Sequence, residues 1–165
     1  MHRGRGRRSG DGVRRRGRVL LVASSGGHLL ELAQLRDQWA RDDRFWVTFE
    51  TPDAQSVLDG EQVFCAHHPT NRNVPNLVRN LLLAFRIVAG SRPRAIVTTG
   101  AGVAVPFCYV GRLFGARVVF IESLARTSRP SLTARLVYPV ATDFFVQWPG
   151  ILPYFRRARY DGQLF

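Results

Sequence analysis

The sequence contains no lysine, so all 24 of its basic residues are arginines, an absence that we interpret as compositional bias rather than as chemistry. Only two cysteines occur, Cys65 and Cys108, and both stand in apolar surroundings, which argues against a disulfide framework. No apolar run reaches the ~20 uncharged residues that a membrane-spanning helix needs. What is present is a chain of 165 residues, 45% of them hydrophobic, which is enough for one domain with a buried core.

Positive charge is concentrated at the start of the chain. The net charge is +12, and residues 1–18 contribute +7 of it through eight arginines and one aspartate. Because this segment has many glycines and few apolar side chains, we predict that residues 1–17 form a disordered tail and residues 18–165 a single domain. The tail could attract nucleic acid or anionic lipid by charge alone, but we expect no specific nucleic-acid partner.

Short apolar segments alternate with amphipathic ones from residue 18 onwards. We predict strands over residues 19–23, 44–50, 62–66, 95–100, 117–123 and 143–149, with helices between them. This alternation is typical of an open parallel sheet, and it predicts a Rossmann-like α/β fold. Ligands of such sheets bind beyond the carboxyl ends of the strands, which here carry SSGGH, TFE, CAHH, TTGAG, IESLAR and VQWP.

The segment SSGGH, residues 24–28, joins the first predicted strand to an amphipathic helix. Glycines let a ligand approach the backbone closely, and the free N–H groups at the start of a helix attract phosphate. The segment is equally compatible with a tight, serine-capped turn that binds nothing. It lacks the GxGxxG pattern of a dinucleotide-binding oxidoreductase, although Glu50 ends the second strand where a ribose-binding acid would lie. It also lacks the GxSxG elbow of serine hydrolases.

Metal-independent glycosyl transfer fits these residues better than a dinucleotide-binding oxidoreductase or a serine hydrolase does. The adjacent Asp42 and Asp43 do not form the Asp-x-Asp pattern of metal-dependent transferases, and they are interpreted as a solvated turn. A metal-independent transferase needs a glycine turn for a pyrophosphate, a base near the acceptor hydroxyl, and a second domain for the donor. The first two have candidates in this sequence, and the third has none.

Four segments together resemble a known family: SSGGHLLEL, TTGAGVAVP, FIESLAR followed by SLTARLVYPVATDFFVQWP, and the closing YDGQLF. Across residues 18–165 the sequence resembles the acceptor-side subunit of the two-subunit UDP-N-acetylglucosamine transferase of lipid-linked oligosaccharide synthesis. This is the asparagine-linked-glycosylation fourteen family, with bacterial relatives in capsular and exopolysaccharide synthesis. The resemblance implies the amino-terminal half of a GT-B fold, a lipid-diphosphate sugar acceptor, and inactivity without a donor-binding partner subunit. It implies no cofactor and no metal, with a UDP-sugar as the donor.

The resemblance also implies roles for particular residues. The catalytic candidates are His28, as a base or a phosphate ligand, and Glu122, as an alternative base. The substrate-binding candidates are Ser25, Gly26, Gly27, Glu31, Thr99, Gly100, Gly102, Ser123 and Arg126. The candidates for the partner interface are Gln147, Trp148 and Pro149. Three of these have structural alternatives: His28 as packing over the helix start, Glu31 as a capping acid, and Glu122 as the partner of Arg126.

The sequence departs from the family pattern at two turns. Ala101 stands where the family usually has the proline of Gly-Pro-Gly, and Gln163 stands where relatives often have arginine.

Residues 76–90 predict a strongly amphipathic helix, which either packs on the core or lies on a membrane surface with its arginines at the headgroups. The resemblance implies a membrane-associated subunit, and we expect peripheral attachment to the cytoplasmic face of the cell membrane through this helix, the helix from Val103 or the basic surface. The contrasting function is a non-catalytic scaffold that recruits and activates a partner transferase.

Overall fold

The computed structural model describes residues 17–70 and 73–165, which form an alternating series of strands and helices. The strands are β1 (Arg18–Val22), β2 (Asp43–Thr48), β3 (Val63–Cys65), β4 (Ala95–Thr98), β5 (Arg117–Ile121) and β6 (Asp143–Phe145). The α-helices are α1 (Gly27–Gln34), α2 (Pro52–Val57), α3 (Val74–Ser91), α4 (Ala104–Leu113) and α5 (Leu132–Val137). All of the predicted tail except Gly17 lies outside the described residues, so its disorder stays a prediction.

These six strands lie parallel in one sheet, in the order β3-β2-β1-β4-β5-β6. This is the strand order of a Rossmann-type fold, and it confirms the predicted α/β class. The order reverses between β1 and β4, where Val22 pairs with Thr98. Because the chain leaves these two strands toward opposite edges of the sheet, a crevice opens between their carboxyl ends.

Helices cover both faces of the sheet, as the continuous apolar run of β1 requires. Leu20 and Val22 belong to one hydrophobic cluster, with residues of α3, α4 and α5. Val19, Leu21 and Ala23 belong to the other, with residues of α1 and α2. All five side chains are fully buried, because successive residues of a strand point to opposite faces and both faces are covered.

Arginine–aspartate pairs occupy the amino edge of the sheet, opposite the crevice. They are Arg18–Asp43 at 2.7 Å, Arg94–Asp42 at 2.6 Å and Arg117–Asp143 at 2.8 Å. Surface pairs of this kind each contribute about 0–1 kcal/mol, so their main effect is to neutralise charge at this edge.

All six strands end one to four residues earlier than the sequence predicts. The helix that begins after SSGGH ends at Gln34 and is followed by a separate 3₁₀ helix, Arg36–Trp39. β6 ends at Phe145, because the Val146 N–H donates to the carbonyl oxygen of Arg159 and the chain leaves the sheet. Among the helices of the described ranges, none is long and apolar enough to cross a membrane.

Gly111 generates a test of how tightly α4 packs on the sheet. A Cβ atom at this position would overlap Cδ1 of the fully buried Ile96 on β4. We expect Gly111→Ala to lower the free energy of unfolding by about 1–2 kcal/mol in urea denaturation, because the packed core must shift.

Gly90 in α3 provides the matched control, because a Cβ there would meet nothing within 4 Å. Gly90→Ala should raise stability by about 0.5–1 kcal/mol through helix propensity alone. A Gly111→Ala variant as stable as Gly90→Ala would contradict the packing of α4 against β4.

Candidate functional site

A cleft of about 560 Å³ lies at the carboxyl edge of the sheet, around the point where the strand order reverses. The segments that follow β1, β2, β3, β4 and β5 all contribute to its walls. Among the residues predicted for the site, the structure brings Ser25, His28, Gly102 and Arg126 to the lining of this cleft. The other predicted residues lie beside or behind this lining.

The glycine turn after β1 presents open backbone. Gly26 has φ of 79°, a left-handed conformation that favours glycine. A Cβ atom on Gly26 or Gly27 would meet nothing within 4 Å, so packing does not demand glycine at these positions. α1 begins at Gly27 with no side chain of the described residues capping its first turn. Unshielded N–H groups of this kind suit an anion.

Asp53 on α2 holds this turn from the side. Its Oδ2 accepts a hydrogen bond of 2.9 Å from the Gly26 N–H. The Thr51 hydroxyl and the Gly26 N–H together hold the pKa of the Asp53 carboxyl below its usual range. No local sequence pattern marks Asp53 as a site residue, because the contact joins segments that lie 27 residues apart.

The second glycine turn, after β4, packs against the first. The Thr99 hydroxyl donates to the backbone oxygen of His28 at 2.6 Å, and the Thr98 hydroxyl accepts from Gly100 N–H at 2.9 Å. Gly100 has φ of 114° and Ala101 has φ of 68°. Proline cannot adopt a positive φ, so this turn differs from the one that a Gly-Pro-Gly sequence would form.

His28 lies at the start of α1, and its ring borders the cleft. Its side chain is 32% exposed, but its Nδ1 is buried and has no hydrogen-bond partner among the described residues. Nε2 is therefore the ring nitrogen that a ligand can reach. The Nδ1 atom lies 3.9 Å from Oε2 of Glu31, one turn further along the same helix.

Glu31 does not cap its own helix. Its Oε1 accepts hydrogen bonds from the Ser123 hydroxyl at 2.8 Å and from the Leu124 N–H at 3.1 Å. The carboxylate therefore ties α1 to the segment between β5 and α5, which carries Arg126 into the cleft wall. The geometry thus gives Glu31 a role that the sequence did not predict, a link between two walls of the cleft.

Glu122 is buried behind Ser131, a residue of the cleft lining. It is 1% exposed, and its two oxygens accept bonds from the N–H and the hydroxyl of Ser131, the residue that precedes α5. Oε1 also accepts from the Ser123 N–H at 3.2 Å. The carboxylate thus fixes the start of α5 instead of pairing with Arg126. This position does not support the predicted role of Glu122 as a base, because an acceptor substrate in the cleft would not touch it.

Arg126 is exposed at the cleft and makes no ion pair with an acidic residue in the described part of the chain. Its guanidinium group is therefore available to an anionic ligand. In the same part of the chain, no three His, Cys, Asp or Glu side chains gather into a group that could hold a metal ion.

Two buried asparagines on α3 hold another wall of the cleft, which the sequence analysis did not foresee. Asn80 is 1% exposed; it accepts from the His67 N–H at 2.8 Å and donates to the His67 carbonyl at 2.9 Å. Asn76 donates to the Pro69 carbonyl at 2.9 Å. An asparagine on the polar-looking side of an amphipathic helix gives no signal of burial, so only the tertiary contact reveals this function.

The three residues predicted for a partner interface differ in accessibility. Gln147 is fully buried, and its Oε1 accepts from the Leu164 N–H at 2.9 Å, so it anchors the last residues of the chain. A partner cannot touch this side chain while that anchor is in place. Trp148 donates to the Leu124 carbonyl at 2.8 Å and is half-buried, whereas Pro149 is exposed.

Comparison with known proteins identifies the family. The family model described as oligosaccharide biosynthesis protein Alg14 like matches residues 65–164, which is more than half of the chain. The chain belongs to the Alg14-like family. Its sequence is 39% identical over 103 residues to a UDP-N-acetylglucosamine transferase subunit ALG14 of Eremothecium gossypii. It is 23% identical over 177 residues to the human protein of the same name.

The matches cover different shares of this chain and of the relatives. The match to the Eremothecium protein covers 55% of this chain but only 46% of that protein, and the match to the human protein covers 88% and 82%. MurG of Acinetobacter baumannii superposes with a TM-score of 0.72 at 18% identity, over 87% of this chain and 45% of MurG. The Alg14-like chain thus has the Rossmann-like fold of half a GT-B protein, as predicted.

The contact between Asp53 and the first glycine turn generates a pH prediction. The folded-state pKa is depressed, so the stability that this contact provides is fully present above the unfolded pKa of about 3.9. It is lost as the pH falls through the folded pKa. We expect the Gly26 amide resonance in ¹⁵N–¹H spectra to move as the pH is lowered from 6 toward 3, at about the range where carboxylates titrate.

Asp53→Asn provides the control, because an amide oxygen can still accept the bond but does not titrate. The Gly26 resonance of this variant should stay in place over the same pH range. A wild-type Gly26 resonance that does not respond to pH would contradict the contact.

Proposed function

We propose that this Alg14-like chain is the acceptor-side subunit of a two-chain UDP-N-acetylglucosamine transferase that acts on a lipid-diphosphate sugar acceptor. The observation that carries the proposal is the cleft itself, which Ser25 and His28 at the uncapped start of α1 line together with the guanidinium group of Arg126. Helix N–H groups and an arginine are the donors that proteins use for diphosphates. The names of the relatives support a transferase subunit.

In this proposal the acceptor diphosphate lies against the first turn of α1 and against Arg126, which places the acceptor sugar near His28. The acceptor hydroxyl oxygen forms a bond to the anomeric carbon of the UDP-sugar as its proton passes to Nε2 of His28. The bond from the anomeric carbon to the diphosphate oxygen breaks, and UDP leaves with the electron pair. Histidine suits this step because it can accept a proton near neutral pH.

The donor would be bound by a second chain. The fold match covers 45% of MurG, and in this proposal the partner chain provides the counterpart of the rest. The partner would close over the carboxyl edge of the sheet, where the exposed Pro149 and the half-buried Trp148 lie. Gln147 would contribute indirectly, by holding the end of the chain through Leu164.

The surface of α3 and α4 supports peripheral attachment to a membrane. Large apolar side chains are exposed along both helices: Val74, Leu77, Val78, Leu81, Leu82 and Phe85 on α3, and Tyr109, Leu113 and the following Phe114 at α4. The rings of Phe85 and Phe114 lie 6.3 Å apart, so the two helices form one continuous apolar surface.

The charge of this surface complements anionic lipid. Residues 62–121 contain seven arginines and no acidic residue, and Arg79 and Arg86 are exposed on α3 between its apolar side chains. An apolar surface with interspersed arginines suits the interface of an anionic membrane. α3 also carries the asparagines that hold one cleft wall, so attachment there would bring the cleft close to a lipid-linked acceptor.

Reconstitution tests the transferase proposal. We expect transfer from UDP-N-acetylglucosamine to a lipid-diphosphate sugar in membranes only when this chain and a donor-binding glycosyltransferase chain are both present. His28→Ala should lower kcat by about 100-fold or more, since a general base contributes about 10²–10⁴. Arg126→Ala should mainly raise KM for the acceptor, and Arg156→Ala, at an exposed arginine outside the cleft lining, should change neither constant.

Two outcomes would contradict the transferase proposal. If the donor-binding chain is fully active alone, this chain has no catalytic role. If His28→Ala and Arg126→Ala leave the activity unchanged while the complex still forms, the chain is a scaffold that recruits its partner.

Vesicle co-sedimentation tests the membrane surface. Leu82 on α3 is 65% exposed, whereas Leu30 on α1 is 52% exposed on the opposite face of the sheet. Leu82→Asp should weaken binding to vesicles with 30% anionic lipid by about 10-fold, because it removes apolar insertion and adds repulsion. Leu30→Asp introduces the same charge and should leave binding unchanged. Equal effects of the two substitutions would contradict the assignment of α3 as the lipid-facing surface.

A further inference from the structure

Two buried polar atoms at the cleft face each other without making a hydrogen bond. They are Nδ1 of His28 and Oε2 of Glu31, which lie 3.9 Å apart, and neither has a partner among the described residues. A buried polar atom without a partner costs about 1–3 kcal/mol. A small rotation of either side chain would satisfy both atoms at once.

Neighbouring contacts keep these two groups in place. Oε1 of Glu31 is held by the Ser123 hydroxyl and the Leu124 N–H, which leaves Oε2 directed at no other donor of the described chain. The Thr99 hydroxyl holds the backbone of His28 through its carbonyl oxygen. Gly100 lies beside the imidazole, and a Cβ atom there would come within 3.5 Å of its Cε1. Three segments of the chain therefore hold the imidazole and the carboxylate close together: α1, the turn after β4 and the segment after β5.

We propose that Glu31 is a positioning residue that accepts a hydrogen bond from Nδ1–H of His28 and so fixes the tautomer of the ring. An ionised carboxylate can only accept, so the proton of the neutral imidazole must lie on Nδ1. Nε2 then carries a free electron pair at the cleft, ready to accept the proton of the acceptor hydroxyl. This inference rests on the proposed transferase function and adds to it the residue that prepares the base.

Glu31→Gln separates the positioning role from the structural one. The amide oxygen can still accept from Ser123 and Leu124, so the link between α1 and the next segment remains. The amide NH₂ replaces Oε2 and can only donate to Nδ1, which forces the proton of His28 onto Nε2. The substitution thus keeps the shape of the site and inverts the tautomer.

The tautomer can be measured without activity. In ¹⁵N spectra of the full chain labelled at histidine, taken at a pH where the rings are neutral, we expect Nδ1–H for His28 in the wild type. Glu31→Gln should convert it to Nε2–H, and His28→Gln identifies the signal. A wild-type His28 with its proton on Nε2, or one whose tautomer does not respond to Glu31→Gln, would overturn the proposal.

Kinetics of the two-chain enzyme provide the second readout. We expect Glu31→Gln to lower kcat by about 100-fold with KM for the acceptor changed by less than about 3-fold, because the base is lost and the binding surface is kept. Asp37→Asn makes the same chemical change at an exposed carboxylate in the following 3₁₀ helix and should retain wild-type kcat. A kcat of Glu31→Gln within about 3-fold of wild type would reject the positioning role.

The two proposals fail in distinguishable ways. If the wild-type pair of chains transfers no sugar, the proposed function fails, and the tautomer spectra still decide whether Glu31 positions His28. If the wild-type pair is active and Glu31→Gln is equally active, the transferase function stands and the positioning role is rejected.

Discussion

The parallel pairing of β1 with β4 is the constraint on which the site depends. It brings the ends of two strands that are separated by more than 70 residues into register at Val22 and Thr98. The two glycine turns that follow therefore pack against each other, and the hydroxyl of Thr99 reaches the backbone of His28. Neither turn forms a cleft alone. Without this pairing the free N–H groups of α1 would be the start of an ordinary surface helix.

Two carboxylates near the cleft have contacts that differ from the roles their positions in the sequence suggest. Glu122 directly follows β5, at the edge of the sheet where α/β folds bind their ligands, yet it is buried and binds Ser131. Glu31 occupies the first turns of a helix, where an acid commonly serves the helix itself, yet it joins α1 to the segment that carries Arg126. The difference arises from the direction of each side chain. Glu122 reaches Ser131 at the start of α5, and Glu31 reaches Ser123 and Leu124 in the segment after β5.

Charge is separated across the molecule as well. Eight of the 12 acidic residues fall within residues 31–61, which include the second half of α1 and all of β2 and α2. The helices α3, α4 and α5 carry arginines and no acidic residue. Since α3, α4 and α5 cover one face of the sheet and α1 and α2 the other, a difference along the chain becomes a difference between two faces. The lipid-linked acceptor of the proposed function would meet a basic, apolar face next to the cleft.

The sequence by itself determined the fold class, because each strand of a sheet covered on both faces must be a continuous apolar run, and such runs alternate with amphipathic segments here. It also determined that glycine turns follow β1 and β4, since turns of this kind are local. Only the tertiary structure decided which side chains serve the cleft. Three hydrogen bonds show this, because their partners are distant in the sequence. The separation is 27 residues for Gly26 and Asp53, 13 for His67 and Asn80, and 93 for Leu124 and Glu31. The direction of a side chain at a strand end depends on neighbours of this kind, and local sequence patterns carry no information about them.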